Sequence, residues 1–137
     1  MNDDERLAAI VEVLQDLSDL AEDHILLVEG LRDKSALETL GIEGRFFMIQ
    51  SEGGPIKAAE FASQNGNKAV ILTDWDRRGG RIASDVSRHL SALGVESDMA
   101  IRSKLSSLCK KYVTDVESLD SLVERLTVNA SGIKGMI

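Results

Sequence analysis

The chain has 137 residues, 43% of them hydrophobic and 28% charged, with a formal net charge of −7. A domain of this size closes round one core, no apolar run approaches the roughly 20 residues of a membrane span, and the acidity argues against a general nucleic-acid coat, whose affinity comes mainly from Lys and Arg on phosphates. The lone Cys109 can neither close a disulfide within the chain nor build a zinc knuckle, and the acidic start Met1-Asn2-Asp3-Asp4-Glu5 is the reverse of a signal peptide's basic opening, so a cytoplasmic protein with no membrane attachment is expected.

Leu7, Ile10, Val11, Leu14, Leu17 and Leu20 recur at three- and four-residue steps, predicting an amphipathic helix over 4–21. This N-terminal unit, residues 1–22, is expected to pack on or beside the main domain, residues 23–128. The same stripe could pair with a partner protein or with a second copy as a homodimer.

Ile25-Leu26-Leu27-Val28 reads as a strand covered on both faces, ending at Glu29-Gly30. A helix follows over 35–40, closed by Gly41, then a second apolar strand over 46–49. Gly53-Gly54-Pro55 breaks the chain and places Pro55 at the start of a helix carrying Ala58, Ala59, Phe61 and Ala62. A third buried strand over 69–72 runs into Thr73-Asp74-Trp75-Asp76, and a helix over 82–93 is closed by Gly94. A short fourth strand over 95–101 and helices over 104–111 and 119–126 complete the domain, and residues 129–137 are expected to form a flexible tail.

Buried strands alternating with helices specify βαβ units, hence an α/β fold with a parallel sheet between helix layers. Ligands of such sheets bind at the carboxyl ends of strands, where Glu29, Asp74 and Asp76 fall. If strand geometry persists, Asp74 and Asp76 leave one face together while Trp75 turns away to pack against a helix. Paired carboxylates repel unless a cation neutralises them, and Mg²⁺ or Mn²⁺ takes such oxygen ligands. Glu29 joins them, as ligand or as general acid/base, only if the first and third strands are neighbours, which demands the sheet order 2-1-3-4. Asp at the start of a helix is also an ordinary N-cap, and Asp76 before Gly79-Gly80 suits that role. His24 and His89 have no partner at ligand or triad spacing.

Leu27-Val28-Glu29-Gly30-Leu31-Arg32-Asp33-Lys34 resembles the Glu-Gly signature of Toprim domains, in the Glu-Gly-x-x-Asp form of the 5S rRNA maturation nuclease. Thr73-Asp74-Trp75-Asp76-Arg77-Arg78-Gly79 resembles their Asp-x-Asp signature with its following glycine. Together with the strands between them, the two motifs span residues 24–117, most of the chain, in the manner of small stand-alone archaeal Toprim proteins and of the Toprim domain of bacterial primases.

The resemblance implies a four-stranded Toprim sheet and metal-dependent phosphodiester chemistry on RNA or DNA. Glu29 is expected as general acid/base, and Asp74 and Asp76, with Glu29, as ligands of Mg²⁺ or Mn²⁺, Glu117 of the late Asp115-Val116-Glu117 segment being a further candidate ligand. Gly30, Asp33 and Gly79 support the motifs, while Lys34, Arg77, Arg78 and Arg81 would meet substrate phosphates. With Tyr112 its only tyrosine and no zinc module, the chain is unsuited to strand passage or primer synthesis. A small nuclease, or a non-catalytic binding module within an RNA-processing, replication or repair complex, is what the resemblance leaves.

Overall fold

The structure, a computed structural model, describes residues 1–132. In chain order it runs α1 (Asp3–Leu20), β1 (Ile25–Val28), α2 (Leu31–Thr39), β2 (Arg45–Met48), α3 (Gly54–Gln64), β3 (Lys68–Leu72), α4 (Arg77–Ala92), β4 (Glu96–Asp98), α5 (Ala100–Cys109), a 3₁₀ turn (Val116–Ser118), α6 (Leu119–Thr127) and a π-helical turn (Val128–Gly132). The rest of the expected tail, 133–137, lies outside the described residues.

The four strands form one parallel sheet in the order β2-β1-β3-β4, as the convergence of the acids requires. Ile25↔Ala69 through Val28↔Leu72 pair in register, so β1 and β3 end level with each other. Successive side chains alternate faces, which divides the apolar runs between two layers. Leu26, Val28, Val70 and Leu72 face α1, α2, α5 and α6, whereas Ile25, Leu27, Ala69 and Ile71 face α3 and α4. The central strands β1 and β3 are buried almost throughout, and each such large side chain contributes about 1.5–3 kcal/mol.

The stripe of α1 is consumed within the chain: Ile10, Leu14 and Leu17 are buried in the core, Leu7 and Leu20 pack against it, and Val11 is left 40% exposed. No helix of the described residues is long and apolar enough to cross a membrane.

The strands and helices lie where the sequence puts them, but several helix starts differ. The helix expected over 82–93 begins at Arg77, five residues earlier, because Asp76 Oδ1 accepts the Gly79 N–H at 2.7 Å as an N-cap. The helix expected over 104–111 is α5, begun at Ala100 behind Asp98, whose carboxylate accepts the Ile101 N–H at 3.1 Å and cuts the fourth strand to three residues. The helix expected over 35–40 begins at Leu31, since Asp33 reaches back to the Gly30 N–H at 2.9 Å.

At the amino end of the strands, Asp23 stands between His24 Nδ1 at 2.6 Å and Lys68 Nζ at 3.2 Å. Those two partners hold its carboxyl below the usual carboxylate range.

Candidate acidic site at the carboxyl edge

Glu29 is the first residue beyond β1 and is 5% exposed. Its Oε2 accepts the backbone N–H of Asp74 at 2.8 Å, and its Oε1 faces Gln50 Nε2 at 3.4 Å. The first of these bonds ties the end of β1 to the connector after β3, across 45 residues of sequence. The β1–β2 pairing also continues past the strands, through Ile49 N–H to the Val28 carbonyl at 2.8 Å and Gln50 N–H to the Glu29 carbonyl at 3.0 Å. Glu29 is therefore fixed on both sides.

Strand geometry stops at Leu72, so the two acids of the second motif do not leave one face of a strand as a pair. Asp74 turns toward the 3₁₀ turn, its Oδ1 accepting the Val116 N–H at 2.9 Å, while Asp76 caps α4. Trp75 packs against the α1/α5/α6 core, its Nε1 donating to the Val113 carbonyl at 2.8 Å and its backbone N–H to Thr114 at 3.0 Å, as the sequence reading expects. Gly79 allows this fold-back: a Cβ there would overlap the carbonyl oxygen of Asp74. The buried Thr73 hydroxyl adds a 2.8 Å bond to the Gly79 carbonyl.

The Asp74 carboxyl is pushed up to about 7, first by burial, then by the charges of Glu29, Asp33 and Asp115, against the opposing pull of the Val116 N–H. Asp33, 6% exposed, is raised by burial and by the charges of Glu29, Glu117 and Asp115, with the Gly30 N–H acting the other way. The edge thus gathers several carboxylates whose charges act on one another.

Arg102, on the first turn of α5, is a residue that sequence reasoning missed. Its Nε donates to the Thr73 carbonyl at 3.0 Å and an Nη2 hydrogen to the Asp74 carbonyl at 2.7 Å. A guanidinium has five N–H donors, so three remain uncommitted. Burial lowers its pKa, and the charges of Glu29, Asp74 and Asp76 act the other way. No local pattern marks it, because it stands between the expected fourth strand and fifth helix. Gln50 was also missed, as its contact with Glu29 depends on the pairing of β1 with β2.

Other expected residues are scattered about this edge. Arg77, Arg78 and Arg81 are exposed on the first turns of α4. Lys34 Nζ lies 5.7 Å from the centre of the Phe46 ring. Asp115 caps the 3₁₀ turn through the Ser118 N–H at 2.9 Å, and Glu117 is exposed beside a groove of about 300 Å³ with Arg32, Ser35 and Ser118.

Among the described residues no three His, Cys, Asp or Glu side chains stand close enough to hold a metal ion unaided. The donors at the edge are nevertheless hard carboxylate oxygens, and Asp74, raised mainly by burial and further by its acidic neighbours, has an oxygen that no hydrogen bond among the described residues occupies. That fits a magnesium-type ion held by one or two carboxylates, with water and substrate oxygens completing its shell, and does not fit a preformed cage.

The fold defines a class: a three-layer parallel α/β protein, here with carboxylates clustered at the ends of its central strands. The chain belongs to the UPF0292 family. It is 39% identical over 122 residues to a member from Methanosarcina barkeri, covering 88% of this chain and 85% of that one. It is 32% identical over 125 residues to a member from Methanocaldococcus jannaschii, covering 91% and 98%. Among solved structures, a putative protein from Aquifex aeolicus superposes with a TM-score of 0.68 at 24% identity, over 80% of this chain and 96% of that one, a likeness of fold. No protein-family model matches the chain.

Proposed function

We propose that this is a Toprim-type protein carrying out metal-dependent phosphodiester chemistry on nucleic acid, most simply as a small nuclease. The observation that carries the reading is the bond from the Asp74 N–H to Glu29 Oε2, which joins the Glu-Gly and Asp-x-Asp motifs at adjacent strand ends.

Asp74, through the carboxylate oxygen that Val116 leaves without a partner among the described residues, and Asp76, through the oxygen not used for capping, would hold Mg²⁺ or Mn²⁺. A bound ion of this kind stabilises the charge that builds on an attacked phosphate. Each Glu29 oxygen keeps a second lone pair after its present bond, enough to take a proton from the attacking water. Hydrolysis then adds the water oxygen to phosphorus, and the departing oxygen leaves with a proton. The three uncommitted N–H groups of Arg102 suit a phosphate oxygen, and Arg77, Arg78 and Arg81 suit the neighbouring phosphates.

A second reading, a non-catalytic nucleic-acid-binding module, is favoured by one observation: both Glu29 oxygens already bond to protein, and no three-carboxylate set is assembled among the described residues. Single-turnover cleavage of structured ribosomal RNA precursors and of single-stranded DNA, with Mg²⁺ or Mn²⁺, separates the two. Cleavage abolished by Asp74→Ala supports the nuclease. Binding of either substrate with no cleavage supports the module, and neither binding nor cleavage sinks both.

A further inference from the structure

We propose that Arg6, Lys111 and Arg125, gathered round Tyr112, form a second site on this chain: a dock for the phosphate backbone of a single nucleic-acid strand that continues over the acidic edge. The choice of nucleic acid rests on the function proposed above; the anion site itself does not.

Three cations surround one ring. The guanidinium carbons of Arg6 and Arg125 lie 5.3 and 5.2 Å from the centre of Tyr112, and Lys111 Nζ lies at 5.7 Å. The two longest of these radii bound the separation of any two of the charges at about 11 Å, so all three face one patch of surface no more than a few nucleotides wide. Among the described residues none of the three forms an ion pair with a carboxylate. Asp3 accepts the Tyr112 hydroxyl at 2.7 Å. Arg6 is tied to the Leu108 carbonyl at 2.6 Å, and its buried Nε has no acceptor.

Fastening α1 to α6 through the ring would need one cation. Lys111 and Arg125 instead add positive charge to this ring with no carboxylate ion pair among the described residues, a local concentration of cations in a chain of net charge −7, which suits an anion. Lys111 and Arg125 are exposed and reachable.

The cluster is placed to serve the acidic edge. Tyr112 leads into Val113 and Thr114, which take the Trp75 indole and backbone, and then into Val116, which binds Asp74. Four residues of chain span at most about 14 Å, roughly four nucleotides at the 3.4 Å rise of a stacked strand. A strand held by its phosphates at Tyr112 therefore reaches Asp74 within a few nucleotides.

The test is the affinity of the full chain for labelled single-stranded RNA and DNA, measured without divalent metal across a salt series, for wild type and Lys111→Ala/Arg125→Ala. Removing two phosphate contacts should flatten the slope of log K against log salt by about 1.4 and weaken binding roughly ten-fold or more near 0.1 M salt. Arg125→Lys should keep most of the affinity. Thermal melting confirms that the double variant folds, and Arg6, which anchors Leu108, is left in place. Wild-type affinity and slope in the folded double variant would overturn the dock. Should wild type bind no nucleic acid, inorganic tripolyphosphate is the second probe: binding lost in the double variant keeps the anion site and removes its nucleic-acid partner, and no binding overturns the site. Asp74→Ala that binds as wild type but does not cleave assigns a failure of chemistry to the acidic edge alone.

Discussion

The two ends of β1 and β3 treat the same residue type in opposite ways. At the amino end, Asp23 has His24 and Lys68 for partners and its pKa falls. At the carboxyl end, Asp74 is half-buried among Glu29, Asp33 and Asp115, receives one backbone N–H, and is pushed up to about 7. A fold that pairs its acids at one end and crowds them at the other marks the second end as the candidate site. Structural carboxylates are recognised by the partners they have, and candidate functional ones by those they lack.

The contrast predicts where activity resides. Glu29→Gln keeps an oxygen for the Asp74 N–H and should slow cleavage by about 10²–10⁴-fold with little change in affinity, as loss of proton transfer does. Asp23→Asn, at the paired end, should leave the single-turnover rate unchanged. Equal losses from both would erase the distinction.

Glycines sharpen it. At the carboxyl end Gly79→Ala drives a Cβ into the Asp74 carbonyl, and urea titration should show a loss of about 3 kcal/mol or more. At the amino end Gly66 adopts φ +102°, but its added Cβ would meet the Asp23 carbonyl at an ordinary 3.7 Å. Gly66→Ala should cost about 1 kcal/mol, from backbone strain alone.

Stability against pH should then run in opposite directions at the two ends. The folded chain holds a proton on Asp74 between pH 3.8 and about 7 that the unfolded chain has released, so this group's contribution falls as pH rises through that window. Asp74→Asn should therefore gain on wild type as pH rises, on the order of 1 kcal/mol at pH 8 after discounting for partial exposure, and Mn²⁺ should narrow the gap by stabilising wild type alone. Asp23 is the reverse case: its depressed pKa supplies stability above the unfolded value of 3.8, lost as pH falls. Asp23→Asn should lower Tm slightly at pH 7, and the difference should vanish in acid. Melts of the two variants at pH 3, 5 and 8 read both signs.

Much of this was legible in the sequence. The buried runs 25–28 and 69–72, the alternating helices and the acids at strand ends fix the layers and the order β2-β1-β3-β4. The glycine after Asp76 was readable as motif, though its cause, contact with Asp74, needed coordinates. Helix starts were set from apolar periodicity, which does not register caps: the N-cap role open to Asp76 is the one it takes, and Asp98 and Asp33 likewise start their helices earlier than the apolar pattern does. The pairing of Asp74 with Asp76 on one face failed for the same reason: the cap of α4 turns the chain where a strand would have carried it on. Arg102 and the cations round Tyr112 were hidden because they converge from separate helices, with no spacing in the chain to reveal them.

Because β1 pairs with β3 and not only with its sequence neighbour β2, the acidic edge has no local precursor. During synthesis Glu29 leaves the ribosome long before Asp74, and Val116, which receives Asp74, later still. A nascent chain that has completed α3 already contains the Glu-Gly motif yet has no site. Joining the two motifs waits on a contact of high sequence separation, whose loop-closure entropy must be met first. Glu29, Asp74 and Val116 are brought together only in a nearly finished molecule, so an incomplete copy lacks the carboxyl edge altogether.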